Sequence, residues 1–570
     1  MTKTLLTYLF ILGCFGIGTF ARGQNSSQEQ TTLPQIHLED YTIIGLEKVV
    51  LPRKQRRTFF KGIELNWSEN ANVKEKGSPD LSFRSANKPG LLFTTGSPYV
   101  NALLEYGTFN TLGARIDAKY AGENIIPFVG VDFRKSDGHV GNADYTRAAV
   151  KGGIEGQAWG GSVFQLVGGY SKDDQSLWSE PIPPDSSMKK KSTAWNWQAD
   201  LNQKLSEQLS VFTTGQFQES DLENRFNYTQ NSLSVGVGGV FSNGTTSILI
   251  KGDFARNKTK REVDASKPFA TAASWETEYS LYSSKLTAGY KIGNVSLSAG
   301  MRTQHLKVET NANSKTYFYP IAEFSIDARG GNHFTVRYQP GLAFESFGQM
   351  LRAHEIADFG SFQPLKTKHK LVGGLYLNAS QNLHFGILSD YSEFENLPVV
   401  YSSYVDTSAN GFLPLNYIYP YWEYRYINDA RIWENSLRAV LRLPQRFLVE
   451  GWLTYRWNEI AASDERGTLV SGNEIPYLPV VSIQARIEWH FFENHTLQIT
   501  GEYAGERFND VANSVSLKDY LLVGAMVNFG LTDQISLRFF GNNLLDQRYE
   551  LFHTYSAPGI SGGGGIELKL

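Results

Sequence analysis

Apolar and polar residues take turns along most of this chain. In SIQARIEWHFF (482–492), Ile483, Ala485, Ile487, Trp489 and Phe491 fall on one side, and Gln484, Arg486, Glu488 and His490 on the other. HTLQITGEY (495–503) sets Leu497, Ile499, Gly501 and Tyr503 against Gln498, Thr500 and Glu502. In QISLRFFGN (534–542), Ile535, Leu537 and Phe539 oppose Ser536, Arg538 and Phe540, and LRAVLRL (437–443) sets four apolar residues against Arg438 and Arg442. The chain stops inside such a pattern, with Ile566, Leu568 and Leu570 against Glu567 and Lys569. A period of two marks strands with one oily and one wet face. A terminal strand is normally an edge that invites aggregation, unless it pairs with the first strand of a closed barrel.

The segments run about ten residues or more, close to the 9–11 that cross a bilayer at a tilt. They recur from about Tyr99 to the end, with Arg and Glu repeatedly on the polar face. Tight turns are expected at 121–124, 241–244, 292–294 and 530–533, where Asn and Gly supply positive φ. Longer polar stretches at 171–192, 255–274, 348–367 and 459–476 read as outer loops, and FGQMLRAHEIADFG (347–360) carries a weak helical period. Roughly 470 residues at about 21 per strand and connection give about 22 strands. The expected fold class is therefore all-β: a large transmembrane antiparallel β-barrel over 99–570 with a short N-terminal segment before it. Such a lumen is too wide for wall side chains to fill.

Composition sharpens this picture. Aromatics are frequent, with 29 Tyr, 35 Phe and 11 Trp, and there are 53 Gly. The net charge of −3 leaves no polybasic footprint, so no nucleic-acid partner is expected. Lys3, the apolar run Leu5–Phe20 and Ala21-Arg22-Gly23 form a secretory signal over 1–23, a retained helix being the alternative. Cys14 is the single cysteine and lies inside that run, so the mature chain is expected to hold no disulfide and no thiolate chemistry. An outer-membrane barrel of a Gram-negative envelope fits all of these features.

Two stretches resemble a known family. LLEYGTFNTLGARIDAKYAG (103–122) is similar to the opening barrel strands of TonB-dependent receptors. GNNLLDQRYE (541–550), then Tyr555, Ala557-Pro558-Gly559 and the last strand, resemble that family's ending, with Leu570 in place of its usual Phe. IPYLPVVSIQARIEWHF and EYAGERFND are similar to its penultimate strands. The resemblance implies an outer-membrane transport barrel in contact with outer-membrane lipids. It implies a globular plug before the barrel too, yet residues 24–98 are short for one and carry no plug hallmark. LEDYTIIG (38–45) is a degenerate match to the segment that adds a strand to TonB, or else a simple linker.

Function is read from three places. Lys48, Arg53, Lys54, Arg56 and Arg57 sit in a basic stretch before the barrel. That stretch is either a lumen gate pairing with acids such as Glu488 and Glu502, or a solvated periplasmic tail. NYIYPYWEYRYIND (416–429) reads as an aromatic girdle, with a ligand-stacking platform as the alternative. Ile566, Leu568 and Leu570 are expected on the lipid face, where barrel-assembly machinery reads a terminal strand. His354, Glu355 and Asp358 lack zinc spacing, and Asp173-Asp174 lacks a calcium-loop pattern. No nucleophile elbow or phosphate loop appears, so no enzyme and no cofactor is implied. The expected function is a passive or partner-gated channel for solutes or ligands, with TonB or a surface lipoprotein as the candidate partner. The alternative is a non-transporting barrel that scaffolds surface lipoproteins or envelope machinery.

Overall fold

The computed structural model describes residues 98–570, less 121, 123, 140–142, 159–161, 178–187, 224–225, 264–273, 310–312, 345–357, 360–362, 407–417, 444–445, 462–470, 493 and 554. Antiparallel strands form one sheet that closes on itself. The first strand, Pro98–Gly107, pairs with Thr111–Tyr120 on one side and with the last, Ser561–Lys569, on the other. The closing register runs from Asn101 opposite Lys569 to Gly107 opposite Gly563. The sheet has 23 strand segments but 22 staves. His333–Tyr338 and Gly341–Ala343 both pair with Leu365–Asn378, so they are one strand interrupted at Pro340, which has no N–H for a ladder. The expected all-β barrel of about 22 strands is the fold observed.

Side chains sort as the alternation requires. Ile483, Ile487 and Trp489 are 41%, 39% and 37% exposed on the outside, whereas Glu488 between them is 6% exposed. Two aromatic belts bound the apolar band. Tyr391, Trp433 and Trp457 stand opposite one another across three strands near the outer end. Phe447 and Trp489 stack at 5.2 Å near the inner end. From Trp457 to Phe447 is ten steps of about 3.3 Å, or about 25 Å of height at a tilt of about 40°. That height matches the hydrocarbon band of an outer membrane.

The connections Lys204 to Leu209, Ser242 to Thr246, Ile292 to Val295 and Gly530 to Ile535 are short and lie at one end, whereas the longest connections lie at the other, beside short ones at 108–110, 224–226 and 309–312. Gly244 and Gly293 take φ of 87° and 56° in two of the turns. Short turns mark the periplasmic end. The wall is uneven in height. Strands from Ser162 to Ile292 have 15 to 18 residues, whereas Ile535–Asn542 has 8. Two expected loops are thus partly strand: 171–192 contains the ends of Ser162–Leu177 and Met188–Lys204, and 255–274 contains the end of Thr246–Glu262. These extensions rise above the membrane, where both faces are wet and the oily half of the alternation disappears. Outward pairs such as Arg256–Glu278 at 2.6 Å and Lys258–Glu276 at 2.8 Å replace it.

A second correction concerns 416–429. Ile418–Ile427 is not part of the barrel wall; it pairs with Leu397–Asp406 in a separate hairpin above it. Tyr424, Tyr426 and Ile427 are 4%, 1% and 0% exposed, so they bury against protein and form no lipid girdle. Of the weakly helical 347–360, the described Asp358–Phe359 is a short strand parallel to Glu423–Tyr424. Among the described residues no helix is long and apolar enough to cross a membrane.

Candidate ligand route: the lumen and its outer mouth

The lumen wall is polar and heavily cross-linked. Glu450, itself buried, accepts from Arg438 Nη2 at 3.0 Å and from Arg486 Nη2. The Arg438 guanidinium also lies 5.0 Å from the Trp452 ring centre. Arg456 Nε donates to Glu434 Oε2 at 2.5 Å, and its Nη1 to Ser482 Oγ at 3.1 Å. At the closing seam, Arg538 Nη1 donates to Glu105 Oε1 at 3.1 Å. Such rows of paired charge suit a wet interior, where each group keeps water or an opposite charge nearby.

At the outer mouth the chemistry changes. Tyr228, Tyr279, Leu281 and Leu306 point inward from the tall wall, yet all are buried. They belong to one apolar cluster with Tyr424 of the hairpin and with Tyr477, Leu517 and Phe552 of loops from the low wall. A second cluster packs the root of that hairpin, through Leu397, Val399 and Ile427, onto Ile432, Ile460 and Leu478. The outer loops therefore fold inward and meet over the lumen. Each buried aliphatic or aromatic side chain contributes about 1.5–3 kcal/mol.

One arginine ties this cap together. Arg507 is fully buried. Its Nη2 donates to the Glu550 carbonyl at 2.6 Å and its Nη1 to the Lys518 carbonyl at 3.3 Å, which joins two loops. The guanidinium lies 5.3 Å from the centre of the Tyr520 ring, which packs 4.4 Å from Tyr549. Burial lowers the arginine's pKa from its usual value, and Tyr520, Tyr477 and Tyr549 act in the opposite direction. Burial raises the Tyr549 phenol.

The closing motif has a clear local cause. Asn543 and Asp546 adopt φ of 45° and 49°, a region that Asn and Asp tolerate better than most residues. Asn543 Nδ2 donates to the carbonyls of Gln547 at 2.8 Å and Pro558 at 3.1 Å, and its Oδ1 accepts from the Gln547 amide at 2.9 Å. Asp546 Oδ1 accepts from the Ile560 amide at 2.8 Å. The Asn-Leu-Leu-Asp stretch is thus pinned to Pro558–Ile560. His139 Nε2 reaches the Ser556 carbonyl at 2.9 Å, tying a loop from the barrel's start to this one, and burial lowers its pKa.

The residues singled out from sequence fall as follows. Lys48, Arg53, Lys54, Arg56 and Arg57 lie outside the described residues. Glu488 and Glu502 face the lumen, but each is engaged: Glu488 with His490 Nε2 at 2.8 Å, and Glu502 with the Tyr520 hydroxyl at 3.3 Å. Ile566, Leu568 and Leu570 are 49%, 40% and 66% exposed on the outer face. Among the described residues no cluster of His, Cys, Asp and Glu is placed to hold a metal ion. The mouth core was not anticipated, although Ile475, Tyr477 and Leu478 stand as apolar residues in a loop.

No family model matches the sequence, and no curated protein matches it. Solved structures do match the fold. The ferric preacinetobactin receptor BauA of Acinetobacter baumannii aligns with a TM-score of 0.64 at 14% identity, covering 84% of this chain and 80% of BauA. The siderophore receptor PiuA of Acinetobacter baumannii gives 0.62 at 13%, covering 83% and 82%. The copper transporter OprC gives 0.63 at 12%, covering 84% and 81%. The chain has the barrel fold of the TonB-dependent receptors. A TonB-dependent-receptor-like barrel with an oily outside and a wet inside is an outer-membrane, transporter-like barrel.

Proposed function

We propose that this barrel is a gated route for a small ligand across the outer membrane, closed at rest by its own outer loops and opened by ligand or by a periplasmic partner such as TonB. One observation supports the gated form over a passive pore: the apolar cluster that joins tall-wall residues such as Leu281 to low-wall loops at Tyr477 and Phe552. An oily cap of this kind excludes water and ions until it is displaced. The neighbours named for siderophores, ferric preacinetobactin and copper make a metal-bearing cargo the first class to try. The chain's own charge and aromatic chemistry do not name the cargo.

Single-channel recording in planar bilayers tests this. The intact chain is expected to carry no steady current, and deletion of 397–427 to produce openings. A steady ohmic current from the intact chain would replace the gated reading with a passive pore. Growth on scarce iron or copper, with and without TonB, tests the energised form. A closed mouth equally favours the second reading, a non-transporting scaffold for surface lipoproteins. Silence of both chains, together with co-purifying envelope partners, would decide for the scaffold.

A further inference from the structure

On the outer face of the tall wall, three neighbouring strands sort their charges by side. They are Leu209–Glu223, Asn227–Ser242 and Thr246–Glu262. Phe217, Leu233 and Ile250 are 39%, 41% and 61% exposed on that face, and residues an even number of positions away along each strand share it. The register sets Asp221, Thr229 and Lys260 in one outward row, and Glu219, Asn231 and Lys258 in the next. Below them, Leu233 lies between Phe217 and Arg256, and Val235 between Gly215 and Phe254. The middle strand is therefore uncharged, with an acidic flank on one side and a basic flank on the other. Its 16 residues, at about 3.3 Å each and a tilt of about 40°, rise about 40 Å, so the charged rows stand clear of a hydrocarbon band of about 25 Å.

The two flanks are compensated differently. The cations lean on acids of their own wall: Arg256 on Glu278 at 2.6 Å, Lys258 on Glu276 at 2.8 Å, and Lys260 on Glu262. Glu219 and Asp221 have no ion pair or hydrogen bond among the described residues. Their register partners on the far side are Trp195 and Thr193, neither of them a cation. Two copies inserted the same way round in one membrane form a closed symmetric pair only about an axis along the membrane normal. Such an axis through the middle strand exchanges its left and right sides. Each acidic flank then meets the other copy's basic flank, and the contact is made twice.

We propose that this face is a homodimer interface, in which Glu219 and Asp221 of each copy engage the Arg256, Lys258 and Lys260 stripe of the other. The apolar residues beneath, Val235 and Val237, exchange lipid for protein, which by itself gives little driving force. The charges above set the partner and its orientation. The interface does not depend on the transport reading above.

The test uses the full chain in outer-membrane vesicles. Asn231→Cys in a Cys14→Ser background, treated with a short bis-maleimide, is expected to give a covalent dimer, because a residue beside the axis meets its own copy. Leu437→Cys, exposed on a distant outward strand, controls for crowding and is expected to stay monomeric. In the Asn231→Cys chain, Glu219→Lys/Asp221→Lys makes both flanks basic, and Lys258→Glu/Lys260→Glu makes both acidic. Each reversed chain alone should give about tenfold less dimer, since contacts on both sides of the axis turn from attraction to repulsion. Co-expressed under different tags, the two reversed chains should recover a dimer that holds one of each. Heat-modifiable compact mobility on gels shows that each chain folds. If a reversed chain does not fold, loss of the Asn231→Cys dimer in high salt decides instead. Equal cross-linking at positions 231 and 437, dimer yields that ignore both reversal and salt, or failure of the mixed pair to recover overturns the interface.

Discussion

Replacing Arg507 with methionine should loosen the cap without harming the barrel. Methionine keeps the length and oily stem of arginine and removes the charge and both donors. The Glu550 and Lys518 carbonyls, bonded at 2.6 and 3.3 Å, lose their partner inside a buried site. Each stranded carbonyl costs about 1–3 kcal/mol, and loss of the buried contact with Tyr520 adds about 2 kcal/mol. Against this, the variant no longer buries a charge, which returns several kcal/mol. The net loss is about 3 kcal/mol, and at about 1.4 kcal/mol per decade the cap opens about a hundredfold more often. Amide hydrogen exchange reads local opening directly. The Tyr477 amide, bonded to the Phe508 carbonyl at 2.7 Å, and the Ala557 amide, bonded to Tyr549 at 2.9 Å, should lose about that factor of protection. Amides of Phe447–Ile460 within the membrane band should not change. A loss under about threefold at the loop amides, or an equal loss in the barrel strands, would refute the claim that Arg507 holds a discrete cap on a rigid wall.

Three further outcomes are expected. Asn543→Ala removes three hydrogen bonds at a residue of positive φ and should destabilise the 543–560 loop by about 2 kcal/mol, measured as faster exchange there with the strands unaffected. Ile566→Arg places a charge on the lipid face and should cost up to about 2 kcal/mol and slow barrel assembly; pulse-chase of folded barrel checks this, with lumen-facing Glu567→Gln as the milder control. Burial, reinforced by Glu506, raises the pKa of Glu474. The folded state then holds the proton more tightly than the unfolded chain, so this contribution is present below the ordinary glutamate pKa and is lost as pH rises through the raised value. Exchange at 473–475 and 511–513 should therefore quicken with rising pH beyond the intrinsic rate, and Glu474→Gln should abolish that excess.

Much of the barrel is visible in the sequence because a lipid band imposes one rule on every strand that crosses it. Ile487 and Glu488 sort to opposite faces for the same reason as Ile566 and Glu567, and neither needs tertiary information. Where that rule lapses, reading fails. Lys258 and Lys260 lie on strand above the membrane, but with water on the outer side their composition is that of a loop. Tyr424 and Tyr426 have girdle composition, yet the hairpin that carries them leaves the wall and turns its rings into protein. The cap depends on contacts between residues hundreds apart, such as Leu222 with Phe552's cluster, and no local period encodes those. The alignment of Lys251, Lys285 and Arg302 across neighbouring strands is likewise set by register alone, since each looks like an ordinary lumen charge on its own strand.

The closing seam, where Ser561–Lys569 pairs with both Pro98–Gly107 and Ile535–Asn542, carries a consequence of its own. Glu105 and Arg538 belong to the first and the penultimate barrel strands, with the final strand lying between them. Their register partner on that strand is Gly565 for both. A side chain there would block them: a Cβ on Gly565 would lie 2.5 Å from the Leu104 carbonyl and 2.7 Å from Glu105 Cγ. The glycine is a saddle over which the two charges meet at 3.1 Å, fastening strands that share no backbone bond. Gly565→Ala should force the first strand outward, since a backbone carbonyl cannot swing aside. Overpacking of this kind costs about 1–3 kcal/mol. The control is Gly501→Ala, a strand glycine where nothing lies within 4 Å of an added Cβ. The heat-modifiable transition of Gly565→Ala should fall by several degrees while Gly501→Ala stays near wild type. Equal behaviour of the two would mean that the seam holds by its backbone ladder alone, and that the buried ion pair across it adds nothing to closure.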